Sequence, residues 1–153
     1  MPKTVVKFGG SNLKCKEDIG RVIQVVKNYE QPVVIVVSAF YGVTNYLIES
    51  LEKARHDEYI ATKTTDFLFN LKKETLQLHI LDSDLINSIL SEIRELLDEL
   101  GKLLQGIALT GDASKALEDH VLALGSGFLR FFSPEFLTTR VLIQRLLFPK
   151  QSD

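Results

Sequence analysis

Thr4-Val5-Val6-Lys7-Phe8-Gly9-Gly10-Ser11 and, further on, Val33-Val34-Ile35-Val36-Val37-Ser38 are the two stretches that decide the fold. Each is a short run rich in β-branched residues, stopped by small or polar ones, as a strand and the turn after it would be. Between them Ile19, Val22, Ile23 and Val26 recur at helical spacing over about Glu17 to Asn28, and Glu17 and Asp18 suit that helix's first turn. Pro32 punctuates before the second run. That run shows no alternation, which predicts a strand buried on both faces of a parallel sheet covered by helices. Strand, helix and strand make a βαβ unit with a right-handed crossover, so the residues alone argue α/β architecture.

Moving outward, Ser38 to Asn45 reads as a loop around Gly42, and the chain is mostly helical over about 46–105. Helices are predicted over 45–56, 63–78 and 85–104, with Thr62 to Thr65 as the start of the second. The third carries an apolar stripe including Leu85, Ile89, Ile93, Leu97, Leu100 and Leu104, opposed by Glu92, Arg94, Glu95 and Asp98. Gly106 to Gly111 reads as a turn-bounded connection, followed by a helix from Ser114 to Leu124.

The totals exclude several classes. A chain of 153 residues can bury one real core. Its formal charge of −2 provides no broad basic field for nucleic acid or anionic lipid. The strongest apolar run, Val33 to Val37, falls far short of the roughly 20 residues a bilayer span needs. Cys15 is the only cysteine, so no intrachain disulfide forms, and with no signal-peptide pattern a reduced cytoplasmic location is expected. His56, His79 and His120 lack metal-ligand spacing and read as surface or helix-packing residues. Cys15 precedes a helix, a setting for a somewhat reactive thiol or simply for a tolerated small residue. Glu92, Glu95, Asp98 and Glu99 read as a solvated helix face.

In open α/β sheets, ligands bind at the carboxyl ends of the strands. Two candidate segments lie there. In Lys7-Phe8-Gly9-Gly10-Ser11, the glycines let backbone N–H groups approach a phosphate, Lys7 offers a compact positive charge, and Ser11 adds a hydroxyl. Phosphoryl transfer needs this equipment, although a tight turn with a solvent-facing lysine fits the same five residues. The pattern is neither a Walker A loop nor G-x-G-x-x-G. In the second segment, Ser38 and Thr44 bring hydroxyls to the same rim, while Thr44 or Asn45 equally suits a helix N-cap.

Taken together, Val-x-Lys-Phe-Gly-Gly-Ser and Val-Val-Ser-Ala-x-x-Gly-Val-Thr-Asn-x-Leu resemble the aspartate kinase family, within the amino acid kinase fold. The long helical segment resembles that family too, as does Leu104 to Gly111 leading into Asp119 to Gly125; the likeness covers roughly residues 4–125. Kinases of the same fold with other acceptors share a Lys-x-Gly-Gly start but are not expected to carry the second segment. The resemblance implies a three-layer α/β sandwich, mainly parallel sheet with helices on both faces, here incomplete. It implies transfer of the ATP γ-phosphoryl group to the β-carboxylate of L-aspartate, the first step toward lysine, threonine and methionine. Lys7 would be the catalytic residue, stabilising charge on the transferring group. Gly9, Gly10 and Ser11 would line the phosphate path, and Ser38, Ala39 and Thr44 would hold aspartate. Mg²⁺ would bridge phosphate oxygens, with no metal site made by the protein itself. Ser11-Asn12 stands where the family usually has Thr-Ser, a change that keeps the first hydroxyl.

The likeness ends after Gly125, where the family has Glu-Arg-x-Ser and this chain has Ser126-Gly127-Phe128-Leu129. Residues 126–153 hold five of the nine phenylalanines but only two acidic residues, Glu135 and Asp153, with no clean helical or strand period. Back-translating Leu124 to Phe136 and inserting one G restores Gly-Glu-Arg-Val-Ser. The expectation is therefore an N-terminal catalytic segment over 1–125 and an aberrant or truncated tail over 126–153 produced by a frame shift. The alternatives are a natural ending that binds a partner or membrane surface, a non-catalytic assembly module, or a kinase with another acceptor. An unfinished sheet also predicts marginal stability and self-association.

Overall fold

The computed structural model describes residues 4–29, 33–37 and 40–127. The order is β1 (Thr4–Phe8), a 3₁₀ turn (Gly10–Asn12), α1 (Asp18–Lys27), β2 (Val33–Val37), α2 (Val43–Ala54), α3 (Tyr59–His79), α4 (Ser83–Thr110) and α5 (Lys115–Gly127). The strands pair in parallel with Thr4 opposite Val33 and Phe8 opposite Val37, so both end at the same rim. Most of the expected tail, residues 128–153, lies outside the described residues.

The sheet corrects one expectation. Side chains alternate across it: Phe8 and Val33 are buried, and Val6, Ile35 and Val37 pack against the core. Val5, Val34 and Val36 face outward and are 63%, 39% and 42% exposed, so among the described residues β2 is covered on one face only. An unbroken β-branched run marks a strand built for two covers, and the described residues supply one.

The core sits mainly between the long helices, with α3 and α4 sharing the most extensive packing. α4 spans 28 residues, about 42 Å, and buries Ile89, Ile93, Leu97, Leu100 and Leu104 along the anticipated stripe. Asp82 caps its start: Oδ1 accepts from the N–H groups of Asp84 at 3.0 Å and Leu85 at 3.1 Å. The helix does not stop before Gly106, as the glycine spacing suggested, but runs to Thr110. Ile107, fully buried, continues the stripe and outweighs the modest cost of a helical glycine. The stop comes at Gly111, whose φ of 70° puts it in the left-handed region while its N–H donates to the Ile107 carbonyl at 2.8 Å.

The other helices fall where expected, with shifted ends. α3 begins at Tyr59, not near Thr62, because Asp57 Oδ1 takes the Tyr59 N–H at 2.9 Å and closes the first turn earlier. A buried hydroxyl chain ties α2 to α3: Thr64 Oγ1 donates to Ser50 Oγ at 3.0 Å, and Ser50 Oγ donates to the Tyr46 carbonyl at 2.8 Å. Arg55, at the end of α2, reaches Asp112 at 3.1 Å and Glu118 at 3.0 Å, tethering α5.

Candidate active site

The parallel register puts the loops after β1 and β2 side by side. Gly9 is extended, and the 3₁₀ turn closes through Asn12 N–H to the Gly9 carbonyl at 2.9 Å and Leu13 N–H to the Gly10 carbonyl at 3.0 Å. Asn12 Oδ1 accepts from the Gly9 N–H at 3.2 Å. The N–H groups of Gly10 and Ser11 stand at the start of this turn, where the helical pattern offers no acceptor of its own. Lys7, exposed one position before Phe8, projects from the uncovered sheet face opposite Val36. Lys7, Gly9, Gly10 and Ser11 all lie at the carboxyl end of β1.

Ser38 and Ala39 lie outside the described residues. The chain re-enters at Phe40, which is buried, and Tyr41, which is exposed. Gly42 follows with φ 83°, a left-handed turn that suits glycine and launches α2. Thr44 sits exposed in the first turn of α2, and neither it nor Asn45 is the cap, since Gly42 holds that position without a side-chain hydrogen bond. The Tyr41 N–H donates to the Leu13 carbonyl at 2.9 Å, joining the second loop to the end of the glycine turn.

Sequence reasoning missed the supports beneath these loops. Asp18 Oδ2 accepts the N–H groups of Lys14 at 2.9 Å and Cys15 at 3.2 Å, and Arg21 donates to its other oxygen at 2.8 Å. The Cys15 N–H above all holds the Asp18 carboxyl below the usual aspartate range. His79 Nε2 donates to the Lys16 carbonyl at 2.6 Å and Lys16 reaches Glu74 at 2.9 Å, fastening the segment to α3. His79 is therefore a packing residue, as its spacing implied. Cys15 is exposed, but the Glu17 carboxylate beside it raises the thiol pKa, so the reactive-thiol reading is not supported.

One charge is deeply placed. Lys72, on α3, is 3% exposed and its Nζ lies 5.0 Å from the centroid of the Phe40 ring. Burial pushes its amine down to about 7. Next to this contact is a cavity of about 330 Å³ lined in part by Lys14, Phe40, Tyr41, Tyr46, Phe67 and Leu71. Among the described residues, no cluster of His, Cys, Asp and Glu could hold a metal ion, and no helix is long and apolar enough to cross a membrane.

The model of the amino acid kinase family matches residues 2–127. Aspartokinase 1, chloroplastic, of Arabidopsis thaliana is 30% identical over 138 residues, covering 90% of this chain and 22% of that protein. The bifunctional aspartokinase/homoserine dehydrogenase 2, chloroplastic, of the same plant is 30% identical over 126 residues, covering 80% of this chain and 13% of that protein. The chain therefore spans less than a quarter of the length of these relatives. The crystal structure of E. coli aspartokinase III in complex with aspartate and ADP superposes with a TM-score of 0.72 at 25% identity, covering 91% of this chain and 29% of that one. With parallel strands, the first ending in a glycine turn, and a family match that spans every described residue, the chain belongs to the amino acid kinase family, and the relatives it resembles are aspartokinases.

Proposed function

We propose that this chain carries the phosphate-path and aspartate-holding loops of an aspartate kinase, as one part of a larger catalytic domain. The observation that carries this reading is the juxtaposition of the two loops at one rim, joined by the Tyr41–Leu13 hydrogen bond. In the reaction, a β-carboxylate oxygen of L-aspartate attacks the γ-phosphorus of ATP. The bond to the β–γ bridging oxygen breaks, and ADP leaves with the electron pair. Lys7 offsets the charge on the transferring group, while Gly9, Gly10 and Ser11 orient the phosphates. Ser38, Ala39 and Thr44 hold aspartate. Mg²⁺ would arrive on the ATP phosphates as part of the substrate. A single cysteine suits the reduced cytoplasm.

This chain alone is expected to turn over little or no aspartate, because positioning groups from the rest of the domain are needed. The test is reconstitution: the full chain is mixed with the C-terminal remainder of an aspartokinase catalytic domain and ADP formation is followed. Aspartate-dependent ADP formation by the mixture, and by neither part alone, supports the reading. Robust turnover by this chain alone, or equal turnover with another acceptor such as glutamate, contradicts it.

The uncovered sheet face supports a related expectation. Val5, Val34 and Val36 make an apolar stripe on the described two-stranded sheet, a surface prone to self-association. Replacing all three by threonine keeps the β-branch and removes much of the apolar surface. Sedimentation should then shift toward monomer; an unchanged distribution would mean that another surface drives association.

A further inference from the structure

Lysine is among the residues least often fully buried, and an ammonium removed from water is costly to keep. Lys72 nevertheless occupies the buried stripe of α3, between Leu68 and Leu76, where an aliphatic residue would pack at no such cost. There it meets the Phe40 ring, itself 7% exposed. The next residue, Tyr41, donates its N–H to the carbonyl of Leu13, which ends the glycine turn. A cavity adjoins this loop, lined in part by Phe40, Tyr41 and Tyr46.

We propose that Lys72 is a positioning residue: its ammonium, seated against the Phe40 ring, fixes the loop leading into α2 and, through the Tyr41–Leu13 hydrogen bond, keeps that loop in register with the glycine turn after β1. This rests on the reading of the two loops as substrate-holding elements, but the mechanical coupling can be measured without it. A cation over an aromatic face in a water-poor site is a strong contact, and Phe40 is separated from the hydrogen-bonded Tyr41 by a single peptide unit. Loss of the charge should therefore free the Tyr41 amide while the α3–α4 core stays closed.

The test is hydrogen exchange of the full chain at pH 6, residue by residue. Lys72→Met is expected to speed exchange of the Tyr41 amide about tenfold, while the Ile93 and Leu97 amides exchange no faster than before. Phe40→Leu should produce the same local change, and combining the two substitutions should add nothing further. Unchanged Tyr41 exchange in both single variants overturns the proposal, as does a uniform rise across α4, which would mark a merely structural role. Titrating L-aspartate into the same samples separates the two claims. If wild type ignores aspartate but Tyr41 still depends on Lys72, the positioning role stands and the aspartate assignment fails. If wild type and Lys72→Met respond to aspartate alike and Tyr41 exchange is unchanged, the positioning role fails and the aspartate assignment stands.

Discussion

Lys72→Met is expected to raise the stability of the chain at pH 7 and to remove a rise in stability between neutral and alkaline pH. In the unfolded chain the amine keeps its ordinary pKa of 10.5; in the fold, burial lowers it to about 7. Between those values the unfolded state binds a proton that the folded state does not, so stability climbs with pH across that window and is lowest below it. Each tenfold loss of proton affinity is worth about 1.4 kcal/mol, which puts the full cost of burying the charged form on the order of 5 kcal/mol. That figure already contains what the Phe40 ring returns to the cation, and the contact is lost with the substitution. Methionine fills similar volume with no charge to desolvate, so the variant should melt higher at pH 7. Because other lysines and tyrosines also titrate above pH 9, the quantity to compare is variant minus wild type at each pH. A variant that melts no higher at pH 7, or a difference that stays constant from pH 7 to 10, contradicts the assignment. A gain in global stability alongside a looser Tyr41 would show what the lysine does: it costs stability and holds a loop, the trade expected near a functional site.

The second large effect belongs to Lys7. In the reconstituted kinase, Lys7→Ala is expected to lower kcat by about a hundredfold or more, the scale seen when one preorganised group aimed at developing charge is removed. The KM for aspartate should change much less, because the ammonium is assigned to the phosphoryl group and not to the acceptor. Lys7 is exposed on the outer sheet face and contributes nothing to the core, so the variant should melt like wild type. Equal losses in activity and stability would point to a structural role. Unchanged activity would remove Lys7 from the chemistry.

The fold is legible in the sequence wherever periodicity and register agree. The bounds of β1 and β2 match their apolar runs, and the α4 stripe from Ile89 to Leu104 is buried as its spacing requires. Helix ends are less legible because they depend on single contacts: Asp57 starts α3 early, and Ile107 carries α4 past a glycine. The covering of β2 misleads because the run records a cover that the described residues do not contain. In the site, the glycine turn and the hydroxyl loop are visible as strand-end motifs. The supports are not. Asp18 reads as an ordinary first-turn acid, yet it holds two loop N–H groups. Lys72 does leave a signal: it lies four residues from both Leu68 and Leu76, a charge set within an apolar stripe. That spacing marks a buried lysine, but only the fold shows that it meets Phe40.

The most direct test of the account is an NMR titration of the full chain with MgATP and, separately, with L-aspartate, following assigned backbone amides. The expected result is that MgATP moves the amides of Gly9, Gly10 and Ser11, while L-aspartate moves those from Phe40 to Tyr46 and glutamate moves neither set. Weak, millimolar binding is enough to support the account. Shifts confined to other surfaces, or no response of either loop at saturating ligand, would contradict the claim that these two loops form the phosphate and aspartate subsites.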